Sequence, residues 1–234
     1  MISPGDIDPP APVRATIDAV LGPNYVWYPG VGNHEAETPA DMAWLRAWGS
    51  NDIPGLVRRG PAGTETTTYA FDHGSAHFVV LNQYYNGKKD VGANGDVVDG
   101  LYDWLKADLE SNRQPMVMVV GHEPILPLPD MHSRRLRHQK DSLNAHPENS
   151  RRFHQLLLEH HVKAYLCAHT HNASIKNLGG VWQIDSGHAR GKGDSGAPST
   201  FVRLRIRGSD CKVEFYRQLK ANGPYHRTKM VRLS

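Results

Sequence analysis

The chain has 234 residues, 39% hydrophobic and 22% charged, which is the composition of an ordinary globular domain rather than a disordered or fibrous chain. Its 27 basic and 24 acidic residues balance too closely to point to nucleic acid. Two cysteines cannot build a disulfide framework or a four-sulfur zinc site, and no run reaches the roughly 18 apolar residues of a membrane span. Histidine is the unusual count, at 14.

In chain order, MISPGDIDPP has neither a basic region nor an apolar core, so no signal peptide is visible and the chain as written is cytoplasmic. Short runs rich in Val, Tyr, Phe and Thr predict strands at 25–28, 67–71, 76–81, 116–120, 164–168, 181–184, 200–207 and 212–218. DHGS (72–75) and GSD (208–210) read as hairpin turns, and VRLRIR (202–207) alternates as a strand with one solvated face does. Helices are predicted at 39–48, 100–111 and 147–160. Asp99 is the expected N-cap of the second, and Pro147 suits the first turn of the third. The stripes Leu101, Trp104, Leu105, Leu109 and Phe153, Leu156, Leu157 are core.

Residues 123–146 contain three early prolines and then Arg134, Arg135, Arg137 and Lys140. A segment of that length is either a lid that attracts an anion or a surface excursion. The basic tail (Arg217, Lys220, Arg227, Lys229, Arg232) is expected to be a solvated end. Alternating strands and helices over 1–234 predict one α/β domain.

The histidines repeat a pattern, an apolar strand followed by a polar cluster. YVWYPGVGNHE supplies Asn33 and His34, MVMVVGHEP supplies His122, and AYLCAHTHN supplies His169 and His171. SPGDIDPP places Asp6 after a glycine. In open α/β sheets ligands bind beyond the carboxyl ends of strands, so these turns are candidates for one site. A carboxylate, an amide oxygen and three imidazoles form an N/O donor set suited to Zn, Fe, Mn or Ni.

The series GD, GNHE, GHEP, AHTH, together with blocks such as YAFDHGSAHFVVLNQ and DGLYDWLKADLE, resembles the calcineurin-like metallophosphoesterase superfamily, especially its purple-acid-phosphatase-like branch. The resemblance implies two mixed β-sheets packed as a sandwich and flanked by helices. It also implies two divalent or trivalent ions (Fe, Mn or Zn), and hydrolysis of a small phosphomonoester or phosphodiester by metal-activated hydroxide. Asp6 would bridge the ions; Asn33, His122 and His169 would complete one and His171 would serve the other. His34 would contact the phosphoryl group as the catalytic acid. Glu35 is either a supporting group or a surface carboxylate.

The superfamily pattern opens with Asp-x-His upstream of GD, and only Met1–Pro4 precede Gly5 here. The expectation that follows is a missing N-terminal strand and a start that lies further upstream, where a secretory signal would also stand. The alternative to the enzyme is then a non-catalytic domain holding a single ion. Asp8 falls two residues after Asp6 rather than the superfamily's three, which puts its partnership with His34 in doubt. Ala168 stands where glycine is usual, and His188 belongs either to the substrate site or to a surface loop. Residues 169–174 read HTHNAS, without the His-x-His-x-Asp-His of a metallo-β-lactamase.

Overall fold

The run MVMVV (116–120) presents no polar residue to either face, so it belongs where a sheet is covered on both sides. In the computed structural model, which describes residues 1–189 and 193–233, every residue of this run is buried. In chain order the elements are β1 (Ile2–Ser3), α1 (Pro10–Leu21), β2 (Tyr28–Pro29), α2 (Asn33–Glu37), α3 (Pro39–Ser50), β3 (Leu56–Arg59), β4 (Tyr69–His73) and β5 (Ala76–Val80). There follow α4 (Asp99–Ser111), β6 (Met116–Val120), a 3-10 turn at Leu143–Ala145, α5 (Pro147–Glu159), β7 (Ala164–Cys167), β8 (Ala173–Leu178) and β9 (Val181–Ser186). β10 (Thr200–Arg207), β11 (Asp210–Gln218) and β12 (Tyr225–Leu233) end the chain. Among the described residues no helix is long and apolar enough to cross a membrane.

The large sheet has seven strands in the order β3-β4-β5-β6-β7-β9-β8. Its centre, β5-β6-β7-β9, is parallel, and both flanks are antiparallel. β1 and β2 pair in parallel as a separate ribbon. Side chains alternate across a strand, so β6 serves two cores at once. Val117 and Val119 meet Leu101, Leu105, Phe153 and Leu157 of α4 and α5. Met116, Met118 and Val120 face Val213 and Phe215 of β11. The result is two packed sheets with helices outside the larger one. The second sheet, β10-β11-β12, is antiparallel throughout rather than mixed.

Some local expectations are corrected by the structure. Asp99 is the first residue inside α4 and Val98 holds the cap position. The basic tail is a paired strand rather than a loose end: β12 runs along β11 and Leu233 is buried, while Lys220, Arg227, Lys229 and Arg232 stay exposed, Arg227 and Arg232 meeting Glu214 and Asp210. Arg217 is fully buried on Asp130, 2.6 Å away. That ion pair also pins the long 123–146 segment to the second sheet. Gln183 pins it again through Leu126, accepting from the Leu126 N–H at 3.0 Å and donating to its carbonyl at 2.7 Å.

Candidate metal centre

β1, β2, β6 and β7 each end at the same edge of the molecule, and the polar turns that follow them converge there. The convergence depends on glycine. A Cβ on Gly5 would lie 2.6 Å from His122 Nδ1, and one on Gly32 would lie 2.3 Å from Asp6 Oδ1. The GD and GNHE turns therefore touch only because both glycines lack side chains. Asp6, Asp8, His169 and His171 have left-handed backbones, with φ of 53°, 23°, 63° and 58°. Such conformations cost about 1–3 kcal/mol each in non-glycine residues and persist only where surrounding contacts over-determine them.

Glu35 is the chief of those contacts. Fully buried, it accepts hydrogen bonds from the backbone N–H groups of Asp6 (2.9 Å), Ile7 (2.6 Å), Asp8 (3.0 Å) and Gly32 (2.8 Å). One carboxylate thus ties the Asp6 loop to the first turn of α2 and is no surface group. Behind His122, Gln83 Oε1 accepts from the N–H groups of His122 and Glu123, each at 2.7 Å. Ala168 accommodates its methyl: it is buried, and its N–H donates to the His122 carbonyl at 2.9 Å.

Asp6, His122 and His169 form a group whose donor atoms lie within 4.8 Å of one another. His122 Nε2 is 3.4 Å from Asp6 Oδ1 and 3.2 Å from His169 Nδ1. The far nitrogens orient the rings: His122 Nδ1–H donates to the Pro4 carbonyl (2.8 Å), and His169 Nε2–H donates to the Asp141 carbonyl (2.9 Å). With those protons spent, each ring in its neutral form turns a lone pair toward the Asp6 carboxylate. The N/O donors of this trio fit a borderline divalent cation. The electrostatics agree. Burial, reinforced by the neighbouring rings of His122 and His138, pushes His169 down to about 3, so its ring is neutral with a lone pair to donate. Burial would raise Asp6, yet the hydrogen bond and charge of His122 override it and hold the carboxyl well below its usual range. Burial lowers His122 but Asp6 raises it further, so a cation bound here would take the place of the His122 Nε2 proton.

His34 follows Asn33 at the start of α2. Its backbone N–H donates to Asp6 Oδ1 at 3.2 Å, and its ring Nδ1 pairs with Asp8 Oδ2 at 2.9 Å. The two-residue spacing of Asp8 therefore does not prevent the partnership. The Asp8 hydrogen bond raises His34 above its ordinary value against a smaller opposing effect of burial. Asn33 lines a cleft of ≈ 440 Å³ together with Tyr84, Asn86 and Val91.

His171 has a different set of partners. Its Nδ1 lies 2.5 Å from Arg137 Nη1 and 3.0 Å from Asp194 Oδ2, and its ring stands 5.3 Å from that of His188. Burial, opposed in part by Asp194, brings it down to about 4. Among the described residues no group of three His, Cys, Asp or Glu donors includes His171. The sequence does contain one Asp-x-His triplet, Asp130–Met131–His132, but it serves Arg217. Asp130 pairs with that guanidinium through both oxygens, at 2.6 and 3.1 Å, and His132 Nδ1 lies 2.6 Å from it.

Sequence reading missed His138 and Asp141, which lie over His169 with the His138 ring 4.1 Å from its own. It named Arg137 within the basic cluster but not its place beside His171, and it missed Asp194 there. Their signal was the basic cluster of the long segment, whose position over the HTH turn no local pattern states.

Turns of this kind, in this order and on this fold, belong to a class of metal-dependent hydrolases. The family description "Calcineurin-like phosphoesterase" matches residues 3–173, and the chain belongs to that family, whose members are generally phosphoester hydrolases that bind divalent metals. Two solved structures share the fold. PhoD is 13% identical with a TM-score of 0.58, matching 89% of this chain and 55% of its own length. GAP50, the anchor in the inner membrane complex of Plasmodium, is 16% identical with a TM-score of 0.53, matching 89% and 66%. The chain thus spans just under two thirds of one and little more than half of the other. No curated protein matches the sequence.

Proposed function

We propose that the chain hydrolyses a small phosphomonoester or phosphodiester at the Asp6–His122–His169 centre, with His34 as the acid. The observation that carries this is the donor trio, whose Asp6 loop Glu35 holds in a left-handed turn, flanked by His34 on Asp6 and Asp8. A divalent cation held by the trio would supply Lewis acidity and lower the pKa of water to about 7. The protein's own residues do the rest. Pro4 and Asp141 fix the ring orientations, and Glu35 and the two glycines hold Asp6 against α2. His34, with Nδ1 tied to Asp8, delivers the proton from Nε2 to the leaving oxygen. Phosphate-ester hydrolysis is among the slowest uncatalysed reactions, and a positioned acid accounts for about 10²–10⁴-fold of the acceleration it needs.

The test separates holding the ion from moving the proton. His122→Ala is expected to lose bound metal, by elemental analysis after loading and desalting. His34→Ala keeps it while turnover of p-nitrophenyl phosphate or its diester falls by about 10²–10⁴-fold. Loss of metal in the His34 variant would refute the division of roles. A second reading, a domain that holds one ion without hydrolysis, is favoured by the exclusion of His171 from any three-donor group. Metal-loaded wild type that turns over neither ester would establish it.

A further inference from the structure

The HTH turn is strapped down by residues 135–141. The His138 ring lies against His169, and the Asp141 carbonyl takes the His169 Nε2–H. Arg135 and Arg137 bracket Asp194. The two arginines are engaged differently. Arg135 spends Nε, Nη1 and Nη2 on Asn172, Asp194, the Ser195 carbonyl and the Thr170 carbonyl, and is a structural anchor. Among the described residues the side-chain bonds of Arg137, to His171 and Asp194, all run through Nη1, and its side chain is 38% exposed. The remaining N–H groups form an open edge of a guanidinium.

The surroundings of His171 do not fit a second ion. No three-donor group among the described residues includes it; the other such group, His138–Asp141–His169, draws on the same His169, whose Nε2–H is spent on the Asp141 carbonyl, and the Asp-x-His triplet is committed to Arg217. A permanent cation already sits within hydrogen-bonding distance of its ring, so another positive charge there would be repelled. Two guanidiniums against the single carboxylate of Asp194 leave one net positive charge at this position.

Resting on the phosphoesterase reading above, we propose that the centre takes one cation, at Asp6–His122–His169, and that Arg137 stands in for the second. Arg137 presents a fixed positive charge and a planar pair of donors to a phosphoryl oxygen. Guanidinium suits that task because its donors match phosphate geometry and its charge does not titrate away.

The experiment loads wild type, Arg137→Gln, Arg137→Lys and Arg134→Gln with Mn²⁺ or Zn²⁺, desalts them and counts ions per chain. It then titrates inorganic phosphate calorimetrically. One ion per chain is expected in all four. Phosphate affinity falls about tenfold or more in Arg137→Gln, for loss of a charge-assisted contact. It recovers substantially in Arg137→Lys and is unchanged in Arg134→Gln, a control at an exposed neighbour. Two ions per chain would overturn this proposal and leave the phosphoesterase reading standing, whereas no ion would overturn that reading itself. One ion with wild-type phosphate affinity in Arg137→Gln, or no recovery in a folded Arg137→Lys, would remove the role given to Arg137.

Discussion

Replacing Glu35 with glutamine keeps the volume of a fully buried side chain and changes only its charge and one acceptor. In the native site Oε1 receives the N–H groups of Ile7 and Asp8, and Oε2 those of Asp6 and Gly32, at 2.6–3.0 Å. Whichever way the amide is turned, two backbone donors face an NH₂ group. Hydrogen bonds to charged groups contribute about 1.5–3 kcal/mol each, so the gross loss is about 3–6 kcal/mol. Relaxation of the loop and entry of water bring the expected cost to the lower end, about 3 kcal/mol, out of a total stability of roughly 5–15 kcal/mol. The same bonds hold Asp6 at its left-handed φ, so the variant also loses cation affinity. Urea unfolding of metal-free protein measures the first effect and zinc titration the second. A variant within about 1 kcal/mol of wild type that still binds zinc as tightly would refute the claim that Glu35 builds the Asp6 loop.

Gly32 has φ −109° and ψ −177°, which any residue adopts, so Gly32→Ala tests space alone. Its methyl would fall 2.3 Å from Asp6 Oδ1, and zinc affinity should drop about 10–100-fold; unchanged affinity would mean the turns can separate freely. Arg217→Met strands Asp130 as a buried unpaired charge and should cost about 3–5 kcal/mol in urea melts. Arg217→Met/Asp130→Leu recovers most of that loss, and a single variant costing under about 1 kcal/mol would refute the anchoring role. His77 lies buried between Asp72 at 2.7 Å and Asp108 at 2.8 Å. Burial lowers its pKa, but the two carboxylates prevail and raise it above 6.5. The folded state therefore favours the protonated ring: its stabilisation is complete below pH 6.5 and is lost as pH rises through the folded value. Melting temperatures from pH 6 to 9 should fall more steeply in wild type than in His77→Gln, and equal slopes would refute this.

Much of the fold was legible because the signals are local. MVMVV announced a strand covered on both faces, VRLRIR one with a wet side, and Pro147 opened a helix where proline's missing N–H costs nothing. The elements not read were weaker patterns. α1 follows a string of prolines, β3 is a short LVRR, and β12 carries charges that look solvated until their partners on β11 are known. Arg217 is the clearest case, since nothing near it in the chain signals the buried Asp130 that neutralises it across 87 residues.

The sequence by itself determined the cast of the site: which polar residues follow apolar strands, and that their chemistry is a carboxylate with imidazoles. Residue chemistry and hydrophobic period are properties of a short window, and they survive without knowledge of the rest. Only the tertiary structure decided who meets whom. Pro4 orients His122 across 118 residues, and Asp141 orients His169 across 28. Arg137, 34 residues from His171 in the chain, meets that histidine's ring. Those pairings are set by how the sheets pack and which turns glycine allows to touch, and no stretch of the chain encodes them alone.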